Sequence, residues 1–163
     1  MLKINPKLDL VLERTTDVAP EKIWKALTNP EELKKWFCPR PWKVVRAEID
    51  ARPGGIFLTE MQGPNGEAPG AEAGCYLEVV PNRKLVWTSA LGPGFRPNPR
   101  TPSPEQFQMS AIIMLEPHGK GTKYTAIALH SDEASRTAHE QMGFEQGWGI
   151  AFDQMVELIK SWK

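Results

Sequence analysis

Alternating apolar and polar positions open the chain. In residues 8–17, Leu8, Leu10 and Leu12 alternate with polar neighbours and Val11 adds β-branching, which predicts a first strand. Pro20 then fits the first position of a helix, where its missing N–H would have no partner, and Ile23, Trp24 and Leu27 give that helix an apolar face. Asn29-Pro30-Glu31-Glu32 restarts a short second helix: a capping side chain, proline at N1, and two acids at the positive end of the dipole. It carries Leu33, Trp36 and Phe37 and ends at Pro39 and Pro41.

The period then changes to two. Residues 43–50 predict a strand with Val45, Ala47 and Ile49 on one face; Pro53-Gly54-Gly55 turns it into a return strand over 56–62, and Gly63-Pro64-Asn65-Gly66 closes the next hairpin. Residues 71–80 set Cys75, Leu77 and Val79 against Tyr76, Glu78 and Val80, and Pro81-Asn82 leads into a strand over 84–91. Residues 92–104 hold too many prolines for regular structure. Two further strands, 107–115 and 122–129, are joined through His118-Gly119-Lys120-Gly121. Last comes a long helix over about 132–162, with Met142, Trp148, Phe152, Met155, Ile159 and Trp162 near helical spacing and Ala151, Val156 and Leu158 widening the stripe. Gly143, Gly147 and Gly149 each cost about 1 kcal/mol relative to alanine in a helix interior, which suggests a bend, a close approach to the sheet, or room for a ligand.

This order predicts an α+β helix-grip fold: a curved antiparallel sheet of six to seven strands around a long C-terminal helix, with two short helices after strand 1. Nothing divides the chain, so residues 1–163 are expected to form a single domain. Composition removes several function classes. Lys plus Arg equals Asp plus Glu at 20 each, so no charge excess points to nucleic acid. No apolar stretch approaches the roughly 20 residues that span a bilayer, and the N-terminus has no apolar signal core, so the expectation is a cytoplasmic protein with no membrane insertion. Cys38 and Cys75 form no CxxC pattern and read as small buried hydrophobes. No nucleophile elbow, phosphate loop or dinucleotide fingerprint occurs, and no metal or cofactor is expected.

Specific segments carry a resemblance. Pro20 to Glu31, Leu33 to Phe37, Asp50 to Gly55, Gly74 to Pro81 with Leu85 to Thr88, and Gly147-Trp148 resemble the superfamily (SRPBCC) that groups START-type lipid-transfer domains, Bet v-like plant proteins and polyketide cyclases. Within it the chain is similar to the AHSA-type group, homologues of the activator of heat-shock protein 90 ATPase, over about residues 8–162. The segment His130 to Gly149 resembles a bacterial, polyketide cyclase-like subgroup.

The resemblance implies an apolar cavity between sheet and helix. Trp36, Phe37, Phe57, Met61, Trp87, Phe107, Met109, Tyr124, His130, Trp148 and Phe152 are its expected lining, with Phe95 at its mouth and Arg96 and Arg100 on the proline-rich loop. The expected partner is a small apolar or aromatic molecule, lipid- or polyketide-like. Two alternatives stay open. One is a cyclase- or hydrolase-type enzyme using the His130, Tyr124 and Glu140 neighbourhood; the other is a stress-related co-chaperone of a heat-shock protein. No recognisable catalytic motif is present. His130, Glu133, His139, Glu140 and Glu145 fit no zinc spacing and read mainly as a polar helix start, with His130, of inward parity, the one to watch. Monomer and homodimer are both compatible with the chain.

Overall fold

The computed structural model describes residues 2–99 and 107–162. Strand β1 (Asp9–Thr16) leads into α1 (Pro20–Thr28) and α2 (Pro30–Leu33). A meander follows: β2 (Lys43–Ile49), β3 (Ile56–Gln62), β4 (Gly74–Val80) and β5 (Lys84–Thr88). After a two-strand ribbon, β6 (Leu91–Gly92) and β7 (Arg96–Pro97), come β8 (Met109–His118), β9 (Gly121–His130), α3 (Glu133–Gln141) and α4 (Phe144–Lys160).

Seven strands form one antiparallel sheet in the order β1-β9-β8-β5-β4-β3-β2. Strands β1 and β2 lie at opposite edges, so α1 and α2 carry the chain across the sheet between them. Pro20 begins α1, and the Asn29 side chain accepts from the N–H groups of Glu31 and Glu32 at the start of α2. The buried Thr122 hydroxyl donates to the Val18 carbonyl and fixes the entry to α1. The sheet's inner face, α1 and α4 share one core that includes Leu12, Ile23, Leu33, Tyr76, Leu85, Ile113, Leu115, Met155 and Ile159.

Four expectations are corrected. The helix expected over 132–162 is two helices. Asp132 caps α3 by accepting from the Ser135 N–H, and the chain then turns at Gly143, whose φ of 88° is a left-handed conformation that glycine adopts without a Cβ penalty. On β2, Val45 is exposed and Val44 is buried, because a bulge between Val44 and Arg46 reverses the alternation; Ala47 and Ile49 still pack on the core. A second bulge, between Tyr76 and Glu78, puts Tyr76 and Val79 on the core side and leaves Leu77 out of the core cluster. The strand expected over 84–91 also divides, with Leu91 in the separate ribbon.

Candidate ligand cavity

A cavity of about 490 Å³ lies between the sheet and the α2–β2 and α3–α4 segments. Its deep end is lined by Leu27, Ile113, Tyr124 and Ala151, all nearly inaccessible to solvent. Two aromatic groups face it. On one side Trp36, Phe37, Phe57 and Trp87 form a chain of edge contacts, with ring centroids 5.6 Å (Trp36–Phe37), 5.8 Å (Phe37–Phe57) and 4.8 Å (Phe57–Trp87) apart. On the other, Phe144 and Trp148 of α4 lie 4.6 Å apart, with His139 of α3 at 5.2 Å and 5.9 Å from them. Thr59, Met61, Glu72 and Met142 complete the lining towards solvent.

The backbone between α2 and β2 is held to α4 by one side chain. Buried Gln154 donates to the carbonyls of Trp36 (3.1 Å) and Cys38 (2.9 Å) and accepts from the Arg40 N–H (3.0 Å). The Trp36 indole donates to the Ala26 carbonyl at 3.0 Å, so the ring is fixed from α1 as well. Cys38 also lines the space, and burial pushes its thiol pKa up, away from the reactive thiolate.

The polar lining is mostly occupied. Ser89 Oγ accepts from the Met109 N–H at 2.9 Å, and Thr88 Oγ1 accepts from Ser110 and from the Ala90 N–H. Tyr124 is different: it lines the deep end, and its hydroxyl has no hydrogen-bond partner among the described residues. Burial pushes its pKa well up, so it is a neutral phenol. Tyr76 Oη is buried and unpartnered among the described residues, but Tyr76 does not line the cavity.

His130 and His139 form a pair. His130 Nδ1 is 2.7 Å from the Leu8 carbonyl oxygen, and His130 Nε2 is 2.9 Å from His139 Nδ1. Phe107 covers both rings, at 5.3 Å and 4.9 Å. Desolvation lowers the pKa of both; His139 falls to about 4, with His130 adding to the shift. Among the described residues no three His, Cys, Asp or Glu side chains cluster as a metal site.

The structure places Trp36, Phe37, Phe57, Met61, Trp87, Met109, Tyr124 and Trp148 around this space. Phe107 and His130 sit one layer back, behind His139. Phe152 packs on the outer side of Tyr124's ring, at 4.9 Å, and stays in the core. Phe95 is half-exposed and lies over Gly54 in the β2–β3 turn, and Arg100 lies outside the described residues. From sequence, His139 reads as part of a polar helix start, and Phe144, Ile113 and Gln154 are not singled out as site residues. The pair Gly143-Phe144 is the signal that was available: glycine after a polar helix marks a stop, and ending α3 there resets which face the preceding histidine presents.

The family model for Activator of Hsp90 ATPase homolog 1-like proteins matches residues 17–160. The chain belongs to this family. A solved structure of a Nitrosomonas europaea protein, 44% identical over 96% of this chain and 97% of that one, superposes with a TM-score of 0.89. A Rhodobacter sphaeroides protein at 17% identity shares the fold, with a TM-score of 0.82 and 99% of each chain covered. So does a Chromobacterium violaceum protein at 24% identity, with a TM-score of 0.71 over 93% of this chain and 96% of that one. No functionally curated protein matches the chain. Among the described residues no helix is long and apolar enough to cross a membrane.

Proposed function

We propose that the chain binds a small apolar or aromatic molecule in the cavity between the sheet and α4. The observation that carries this reading is the cavity itself. About 490 Å³ lies within the roughly 300–1,000 Å³ range of small-molecule sites, and aromatic side chains face it from two sides. Such a space left empty forfeits dispersion contacts along its whole lining, and a flat apolar ligand restores them.

Two measurements test the reading. Native mass spectrometry of protein purified from its own host is expected to show a retained mass. A thermal-shift screen of lipids and fused-ring aromatics is expected to find compounds that raise Tm. At a ligand concentration one hundred times Kd the stabilisation is about 2.7 kcal/mol, roughly 5–10 °C for a chain of this size. No retained mass together with no shift across the screen refutes the reading.

A further inference from the structure

The hydrogen-bond chain that ends on His139 has a direction. The Leu8 carbonyl can only accept, so His130 Nδ1, 2.7 Å away, carries the proton. Burial keeps the His130 ring neutral, which leaves Nε2 as a bare acceptor. Its partner 2.9 Å away, His139 Nδ1, must then be the donor. His139 is neutral too, so its Nε2 carries a lone pair and no proton. That nitrogen has no hydrogen-bond partner among the described residues, and His139 lines the cavity. A ligand donor that pairs with this nitrogen gains a net hydrogen bond, worth on the order of 0.5–1.5 kcal/mol.

We propose that His139 Nε2 accepts a hydrogen bond from a hydroxyl group of the bound molecule, so that the cavity selects apolar or aromatic molecules bearing a free hydroxyl over their methyl isosteres and over carboxylates. The inference rests on the ligand-binding reading and adds the chemistry of the ligand. A methyl group in place of the hydroxyl leaves the nitrogen unpaired. A carboxylate meets a lone pair with no proton to share, and Glu72 also lines the cavity. Rings on three sides (Phe107, Phe144 and Trp148) hold the imidazole in place.

The test is calorimetric titration of the intact chain at pH 7.5 with 2-naphthol, 2-methylnaphthalene and 2-naphthoate. In the wild-type protein 2-naphthoate is expected to bind at least about tenfold more weakly than 2-naphthol. The ratio of the 2-naphthol to the 2-methylnaphthalene association constant is expected to fall about tenfold in His139→Phe; using the ratio removes both the difference in apolarity between the two ligands and the change in the wall common to both. An unchanged ratio, or carboxylate binding as tight as naphthol binding, overturns the assignment and leaves the cavity reading standing. Absence of binding by all three overturns the assignment, and the native mass spectrum and the thermal-shift screen then decide the cavity reading separately. Should His139→Phe fail to fold, nitrogen NMR of the wild-type imidazoles decides independently: both rings are expected as the Nδ1–H tautomer, and a proton on His139 Nε2 overturns the proposal.

Discussion

Gln154 Nε2 of α4 lies 2.9 Å from the carbonyl oxygen of Cys38, across 116 residues of sequence. The same amide serves the Trp36 carbonyl and the Arg40 N–H, so one side chain satisfies three backbone groups of a segment that has no strand or helix to satisfy them. This tie sets the distance between the α2–β2 segment and α4, and with it one dimension of the cavity.

Gln154→Leu keeps the volume and removes every one of those bonds. Two carbonyls and one N–H are left in a buried setting, which is expected to cost about 3 kcal/mol and lower Tm by roughly 6–12 °C. Urea denaturation measures the loss directly. A variant as stable as wild type would show that the segment is held by its apolar contacts alone.

The histidine pair makes stability depend on acid. The ordinary histidine pKa is 6.5, and His139 in the folded chain is lowered to about 4, first by desolvation and then by His130. Below pH 6.5 the unfolded chain takes up a proton that the native chain refuses, so stability falls with pH from about 6.5 to 4. The slope of about 1.36 kcal/mol per pH unit gives a loss on the order of 2 kcal/mol between pH 7 and pH 5. His130 shifts in the same direction, opposed by the Leu8 carbonyl, Asp9 and Asp132 and assisted by Arg136. Carboxylates titrate as well, so the measurement is the difference between wild type and His139→Phe. The urea midpoint of the variant is expected to change less between pH 7 and pH 5, and equal changes would refute the assignment.

Most of the fold was legible because its periodicities are uninterrupted. Strand β3 keeps one parity, and Phe57 and Met61 face the same space as that parity requires; β9 does the same for Tyr124, Ala126 and Ala128. The misreadings on β2 and β4 have one cause. A bulge adds a residue without a sequence marker, and every side chain beyond it changes face, so Val44 replaced Val45 and Tyr76 replaced Leu77. His139 was illegible for a different reason. Helical spacing places it beside Met142 and Gly143, which suggests a surface turn. Only the break at Gly143 and the long-range approach of β9 bring it against His130. Gln154 gave no sign, since its three partners lie more than one hundred residues away.

The two glycines that flank the start of α4 are expected to respond in opposite ways to the same substitution. Gly143 sits at φ 88°, with nothing closer to an added Cβ than the Gln146 side chain at 3.7 Å, so Gly143→Ala meets no clash but pays for a left-handed backbone, about 1 kcal/mol. Gly147 lies inside α4 with ordinary helical backbone, and an added Cβ would meet only Pro39 Cγ, at 3.9 Å. Gly147→Ala should therefore stabilise by roughly 0.5–1 kcal/mol, since alanine loses less backbone entropy in a helix. The new methyl, however, enters the cavity wall between Pro39 and α4. Thermal denaturation of the unliganded protein is expected to rise, while the affinity for a flat fused-ring ligand falls. Higher Tm with unchanged affinity would place the bound molecule away from this wall, towards Tyr124 and Leu27 at the deep end.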